Sequence, residues 1–281
     1  MKTKYFIIDK KNKTDLIDFF KNNNLKKALK KKIQVYLKEI ENNGSIIIKN
    51  FPISENYIKD FKKFSSLFGI LHKQNKEGKQ VVKIENEKKK WNAKIRGYRT
   101  SEKLDLHTDG GKIFLLLCIN NSLSGGENIK LNAETIFSKI DENFKKKLLN
   151  GFKYHTRHEA HNRSVITKKK YPIFFFNKKK ILHCMYNSKP ILEAIKYTKS
   201  KDDLETINKL KKIIHNIKKS YEVFKITPGD IWLVNNFKVL HGRKKFKDDG
   251  KNQKRLLLRT WVSPKKFKYK GKTILDAYND R

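Results

Sequence analysis

The 281-residue chain has few cysteines, few prolines and no long apolar run. Its two cysteines, Cys118 and Cys184, lie far apart and outside any CxxC pair, which argues against a disulfide framework and against a cysteine-rich zinc site. No apolar stretch approaches the roughly 20 residues of a membrane span, and the first residues lack the apolar core and cleavage site of a signal peptide. We therefore expect a folded, cytoplasmic protein without a membrane partner.

Acidic residues are scarce relative to basic ones. The chain has 67 lysines and arginines against 28 acidic residues, a formal net charge of +39. Such a surface attracts polyanions, but only eight of the basic residues are arginines, and the lysines are spread along the whole chain. We favour a solvated lysine surface that reflects AT-rich coding. Nucleic-acid binding is the alternative, and it predicts an affinity that falls steeply with added salt.

Apolar runs and helical spacing alternate along the chain. Buried strands are predicted by the runs "GSIIIKN", "IFLLLCI" and "DIWLV". Residues 14–42 have helical spacing interrupted at "NNN", residues 54–69 have helix start and stop signals, and residues 133–151 predict one more helix. Because helices come first and interrupted strands follow without a βαβ rhythm, we expect an α+β fold on a mostly antiparallel sheet or barrel.

A histidine and an aspartate stand two positions apart in "LDLHTDGG". Residues i and i+2 of a strand project from one face, so His107 and Asp109 can converge on one point. By itself the pair is more typical of a polar strand end than of a metal site. His241, after the run "DIWLVNNFKVL", supplies a second imidazole. Two histidines and one carboxylate form the ligand set of non-haem Fe(II) oxygenases, which leaves positions open for co-substrate and dioxygen.

Two of the eight arginines occur in the segment "KRLLLRTWV". Arg255 and Arg259 are four residues apart, so a strand presents both on one face. Guanidinium groups bind carboxylates bidentately. We therefore interpret this face as a clamp for a dicarboxylate.

Together these segments resemble the Fe(II)/2-oxoglutarate-dependent dioxygenases of the TauD/TfdA (taurine dioxygenase) group, particularly its clavaminate-synthase-like branch. The matching segments, spanning about residues 96–263, are "RGYRTSEKLDLHTDGG", "LLLCINNSLSGGEN", "GDIWLVNNFKVLHGRKKF" and "RLLLRTWV". The resemblance implies a double-stranded β-helix (jelly-roll) core over about residues 80–265, with inserted helices. A helical N-terminal part over about residues 1–70 would complete a single domain of residues 1–281.

The resemblance also implies the roles of individual side chains. Iron would be held by His107, Asp109 and His241, which are also the catalytic residues. Arg255 would bind the distal carboxylate of 2-oxoglutarate. Arg259 would contact the co-substrate or a substrate carboxylate.

Three positions refine that assignment. The family commonly has a threonine where this chain has Asn128. Because an amide is also a hydrogen-bond donor, we expect 2-oxoglutarate binding to be retained but altered. Asp109 favours hydroxylation, desaturation or cyclisation, because related halogenases have a small residue there. Arg99 in "IRGYRT" is expected in a substrate-binding loop, although ordinary loop packing explains it equally well.

The resulting expectation is an oxygenase that uses Fe(II), 2-oxoglutarate and O2, and releases succinate and CO2. Its substrate would be a small anionic or amino-acid-like molecule, or a natural-product intermediate, oxidised first of all by hydroxylation. The oligomeric state stays open. A second histidine cluster, His155, His158 and His161, lacks a carboxylate at triad spacing, so we expect a surface or cleft role for it. Trp232 and Trp261 lie in apolar runs and are expected in the core.

Overall fold

The computed structural model of the protein describes residues 2–75, 77–87, 97–156, 165–177, 179–249 and 253–264. The helices in these residues are α1 (Lys10–Asn22), α2 (Lys27–Asn43), α3 (Tyr57–Ser66), α4 (Ala133–Phe137), α5 (Glu142–Asn150), α6 (Ser188–Thr198) and α7 (Lys201–Asn216). Among the described helices, none combines the length and the apolar character that a membrane crossing requires.

The strands in the same residues are β1 (Lys4–Ile7), β2 (Ser45–Lys49), β3 (Ile70–Leu71), β4 (Val81–Ile84), β5 (Leu104–His107), β6 (Ile113–Asn120), β7 (Ser124–Gly125), β8 (Asn128–Asn132), β9 (Phe174–Phe176), β10 (Leu182–Cys184), β11 (Glu222–Phe224), β12 (Ile231–Asn235), β13 (Val239–Arg243), β14 (Phe246–Lys247) and β15 (Leu256–Ser263).

Helices α1 to α3 cover one face of the larger sheet. The Asp9 side chain caps α1 by accepting a hydrogen bond from the Asn12 backbone N–H, and α1 ends at Asn23 in a left-handed conformation with φ 57°. The helix break predicted at "NNN" is therefore confirmed. Helix α2 buries an apolar stripe at helical spacing, formed by Leu29, Ile33, Tyr36 and Ile40.

The larger sheet has seven strands in the order β1-β2-β12-β6-β15-β3, with β4 also paired to β15. Strand β6 shows how both faces are used. Leu115 and Leu117 pack in the apolar cluster of the N-terminal helices, whereas Phe114, Leu116 and Cys118 pack in a second cluster on the opposite face. Strict alternation therefore buries this strand on both sides, which explains its continuous apolar run.

The smaller sheet has four strands in the order β11-β8-β13-β5 and faces the larger one. Leu106 and Leu240 project outward and pack with helices α4 to α7. Their neighbours His107 and His241 therefore project inward, and the ring centroid of His241 lies 4.4 Å from that of Phe114 in the larger sheet. The two sheets enclose a jelly-roll interior flanked by helices, which confirms the predicted α+β fold class.

The single helix predicted over residues 133–151 is wrong. The chain instead forms α4 and α5, with a break between them. Asp141 accepts a hydrogen bond from the Phe144 backbone N–H and so caps the start of α5. An aspartate in this role favours a helix start over a helix interior.

Candidate metal centre

The three predicted metal ligands meet between the two sheets. His107 ends β5 and lies opposite His241 of β13 in the strand register, and Asp109 follows two residues after His107. One ligand atom from each residue lies within 4.8 Å of the other two. Nε2 of His107 is 3.8 Å from Oδ1 of Asp109, and Nε2 of His241 is 3.4 Å from Oδ2. Two imidazoles and one carboxylate on one side of a point fit a three-ligand ferrous centre.

The hydrogen bonding of His107 leaves the lone pair of its Nε2 available for a metal. Its Nδ1 lies 2.7 Å from the backbone oxygen of Asp105, an arrangement that places the proton on Nδ1 and leaves Nε2 free. Burial lowers the pKa of His107 to about 4, and the nearby His241 acts in the same direction. The imidazole is therefore neutral at pH 7, which is the form that binds a metal.

The Asp109 carboxylate is held by strand β15. Its Oδ2 accepts hydrogen bonds from Nη1 of Arg259 at 2.7 Å and from Nε1 of Trp261 at 3.3 Å. Burial alone would raise the pKa of Asp109, but the charge of Arg259 and the contacts with His241 and His107 hold that pKa well below its usual range. The carboxylate is therefore ionised, as a metal ligand must be.

Asn236, which the sequence analysis missed, fixes the backbone around Asp109. Its Oδ1 accepts the Asp109 N–H at 2.9 Å, and its Nδ2 donates to the carbonyl oxygens of Asp109 and Gly111. Asn236 is fully buried, and a buried amide is retained where its hydrogen bonds are made. The one sequence signal is the pair "NN" directly after an apolar strand.

Trp261 is a second residue whose role the sequence did not reveal. It is partly exposed and donates to Asp109, whereas Trp232 lies in the core as predicted. A Cβ atom at Gly110 would lie 2.8 Å from the indole ring, so only glycine leaves room for it. Gly111 adopts φ 77°, which favours glycine for a different reason. The "GG" after Asp109 thus admits the indole.

A set of polar side chains lines the interior beside His241. Arg243 follows His241 by two residues on the same strand face, and Asn128 is its partner across the β8–β13 pair. Arg255 is buried, with its guanidinium carbon 5.1 Å from the ring centroid of Phe246. Its Nη1 has no hydrogen-bond partner among the described residues. A buried guanidinium with an unpaired N–H fits the carboxylate of a co-substrate.

The other two predicted arginines are already engaged. Nε of Arg259 donates to Oε1 of Gln74 at 2.9 Å, in addition to the Asp109 contact. Arg99 forms an ion pair with Glu87 at 2.5 Å and is more than one-third exposed. The substrate-binding role of Arg99 stays a prediction.

Of the second histidine cluster, His155 alone lies among the described residues. Nδ1 of His155 lies 3.9 Å from Oε2 of Glu193, and its ring contacts Tyr197. His158 and His161 lie outside the described residues. Within the described ranges, the His107–Asp109–His241 group is the one set of three or more histidine, cysteine or acidic residues arranged to hold a metal.

Comparison with known proteins identifies the family. Residues 11–261 match the taurine catabolism dioxygenase TauD, TfdA family. The chain belongs to this family. The predicted TauD/TfdA membership, and with it a 2-oxoglutarate-dependent dioxygenase that uses iron, is confirmed. No curated protein matches the sequence itself.

Solved structures share the fold of this TauD/TfdA chain. Asparagine oxygenase in complex with Fe(II), 3-hydroxyasparagine and succinate gives a TM-score of 0.72 at 11% sequence identity. The superposition covers 92% of this chain and 93% of the asparagine oxygenase chain. The non-haem iron oxygenase OrfP in complex with Fe and α-ketoglutaric acid gives a TM-score of 0.69 at 13% sequence identity. The superposition covers 93% of this chain and 94% of the OrfP chain. At these identities the similarity establishes the jelly-roll fold.

Proposed function

We propose that the protein hydroxylates a C–H bond of a small, amino-acid-like molecule and converts 2-oxoglutarate to succinate and CO2 in the same reaction. The observation that carries this proposal is the convergence of His107, Asp109 and His241, whose ligand atoms lie within 4.8 Å of one another in the interior of the fold. When bound, a ferrous ion supplies the oxidising chemistry. The protein contributes binding, orientation and the exclusion of water.

The geometry around Asp109 supports coordination through one carboxylate oxygen. Oδ2 accepts the hydrogen bonds from Arg259 and Trp261 and lies 3.4 Å from Nε2 of His241, whereas Oδ1 lies 3.8 Å from Nε2 of His107 and accepts neither of those two hydrogen bonds. One oxygen and two imidazole nitrogens would hold the ion and would leave coordination sites for the co-substrate and dioxygen.

The seat of 2-oxoglutarate is proposed at Arg255, with the Asn128 amide nearby. Arg255 offers a buried Nη1 without a partner among the described residues, and both side chains are almost fully buried. A carboxylate bound there is shielded from water, so its charge-assisted hydrogen bonds are strong.

An amino-acid-like substrate is supported by two observations. The asparagine oxygenase structure contains 3-hydroxyasparagine, and an OrfP structure contains (3S)-hydroxy-L-Arg. In the present chain, Arg259 lies beside the metal ligand Asp109, with its guanidinium 5.2 Å from the ring centroid of Tyr98. A guanidinium at this place can orient a substrate carboxylate in addition to holding Asp109.

The test is co-substrate turnover by the purified protein. Under air, with Fe(II), 2-oxoglutarate and a panel of amino acids, we expect succinate release that requires iron and accelerates with the correct amino acid. His241→Ala should stop it, and Asp109→Ala should abolish hydroxylation. His215→Ala, at an exposed position of α7, is the matched control and should behave as wild type. Substantial hydroxylation by Asp109→Ala would overturn the ligand assignment, and product mass would distinguish hydroxylation from desaturation or cyclisation.

Nucleic acid is the second candidate substrate or partner, and the net charge of +39 is the observation that favours it. Binding through phosphates releases counterions, so its affinity would fall steeply with salt. A salt titration against DNA and RNA separates this candidate from an amino-acid oxygenase, whose turnover has no need of a polyanion.

A further inference from the structure

A second buried guanidinium, that of Arg243, lies next to the proposed co-substrate seat. Arg243 and Arg255 are each 3% exposed. Their guanidinium carbons lie 4.8 Å and 5.1 Å from the ring centroid of Phe246. The same aromatic ring therefore contacts two positive charges in the protein interior.

Three of the six guanidinium nitrogens of these two residues have no hydrogen-bond partner among the described residues. Nη2 of Arg243 donates to the backbone oxygens of Thr100 and Glu102. Its Nε and Nη1, and Nη1 of Arg255, have no hydrogen-bond partner among the described residues. Buried N–H groups without acceptors are unfavourable, so three such donor atoms on two residues that contact the same ring indicate a missing acceptor.

The missing acceptor must also be an anion. In the described residues neither guanidinium forms an ion pair: Glu102 pairs with Lys245, and Asp248 accepts the backbone N–H of Arg255. Two buried positive charges that form no direct ion pair with the described residues repel each other, and a bound carboxylate would relieve that repulsion.

The position of Arg243 connects this cation pair to the metal centre. Arg243 lies two residues after His241 on the inward face of β13, roughly 7 Å along the strand. Asn128, which stands where the family commonly has a threonine, is its direct partner across the strands. Arg243 and Asn128 therefore lie close to the metal ligand His241 on the inward face of the smaller sheet.

Resting on the proposed function, we infer that Arg243 and Arg255 together bind the distal carboxylate of 2-oxoglutarate. Arg243 supplies Nε and Nη1, and Arg255 supplies Nη1. Arg243 is thus a specificity-determining residue that selects a dicarboxylic 2-oxo acid over a monocarboxylic one. Arg243 also connects the co-substrate seat with the segment before β5, because its Nη2 donates hydrogen bonds to the backbone oxygens of Thr100 and Glu102.

The test compares two probes that differ only in the distal carboxylate. Calorimetric titration of the anaerobic Fe(II)-loaded protein measures the affinity for 2-oxoglutarate and for 2-oxopentanoate, which ends in a methyl group instead. Arg243→Met should weaken 2-oxoglutarate binding by about ten- to a hundredfold and leave 2-oxopentanoate binding within about twofold. Lys245→Met, which removes an exposed charge two positions away, is the matched control and should change neither affinity.

The possible outcomes separate this inference from the proposed function. If Arg243 serves only to hold the segment before β5, its replacement weakens both probes equally, and the inference is overturned while the proposed function stands. If wild-type protein binds neither oxo acid, the proposed function itself fails. Should Arg243→Met not fold, Arg243→Lys keeps a donor for the two carbonyls and must still lose selectivity for 2-oxoglutarate, because a single ammonium cannot replace the fork of two N–H groups.

Discussion

Nη1 of Arg259 lies 2.7 Å from Oδ2 of Asp109, so strand β15 directly orients the carboxylate of the metal centre. Arg259 therefore affects metal affinity, because a carboxylate that points in the wrong direction coordinates a metal poorly. The second arginine of "RLLLR" therefore has a structural task before any substrate arrives.

Replacing that arginine should weaken metal binding. We expect Arg259→Met to lower Fe(II) affinity by about tenfold or more, measured by anaerobic titration. Arg259→Lys should recover part of the loss by restoring a charge, but not the bond to Gln74. Lys83→Met, at an exposed position of the neighbouring strand β4, serves as control. Unchanged Fe(II) affinity in Arg259→Met would show that Asp109 needs no such support.

The Asn236 side chain should prove essential to the same centre. Asn236→Ala leaves the buried N–H of Asp109 and two carbonyl oxygens without their partner, which costs about 1–3 kcal/mol of unfolding free energy. Urea unfolding of the metal-free protein measures this loss, and Fe(II) affinity should fall in parallel. Asn24→Ala, at an exposed position, should change neither quantity. A stable Asn236→Ala protein with wild-type metal affinity would contradict the role assigned to this amide.

Gly110 and Trp261 should behave as a coupled pair. In Gly110→Ala the new Cβ meets the indole at 2.8 Å, so the ring must move away from Asp109 and Fe(II) affinity should drop. Trp261→Ala removes the colliding ring together with the hydrogen bond to Asp109. The double variant should therefore be no worse than Trp261→Ala alone, a departure from additivity of about 0.5–3 kcal/mol. Strictly additive losses in metal affinity would exclude the steric explanation.

His183 should make the fold sensitive to mild acid. Its ring is fully buried between Phe175 and Phe237, and neither nitrogen has a hydrogen-bond partner among the described residues. Burial lowers its pKa to about 4 from an ordinary 6.5, with the charges of Lys112 and Lys238 acting in the same direction. Between pH 6.5 and about pH 4, His183 binds a proton in the unfolded chain but stays neutral in the folded protein. Stability is thus complete above about pH 6.5 and is lost as the pH falls toward about 4, by roughly 3 kcal/mol in total.

Replacing this histidine by an aromatic group that cannot titrate isolates the effect. The difference in unfolding free energy between neutral pH and about pH 5 should be smaller in His183→Phe than in wild type. His215→Ala, at an exposed position, should keep the wild-type difference. Identical pH dependence in wild type and His183→Phe would assign the acid sensitivity to other groups.

Much of the fold and of the metal centre could be predicted from local patterns. The apolar runs mark strands because β6 is buried on both faces, and the spacing of His107 and Asp109 reflects the alternation of a strand. His241 is recognisable because it closes an apolar strand ahead of a glycine and an arginine. In each of these cases the information lies within a few neighbouring residues.

The remaining features depend on contacts between distant segments. Asn236 and Trp261 reach Asp109 from positions more than a hundred residues away, and the local sequence at either position does not identify that partner. The break between α4 and α5 was available from the capping aspartate Asp141, but continuous helical spacing concealed it. The contact of Arg259 with Asp109 is likewise invisible in the sequence, whereas the contact of Arg259 with a ligand carboxylate stays a prediction.

The two imidazoles project from the smaller sheet, whereas Asp109 is fastened to β15 of the larger one. An ion bound by all three ligands therefore acts as a cross-link between the halves of the sandwich. Iron loading should raise the denaturation temperature in proportion to the logarithm of the free metal concentration. Removal of the metal by a chelator should accordingly weaken the packing between the two sheets before it destabilises either sheet alone.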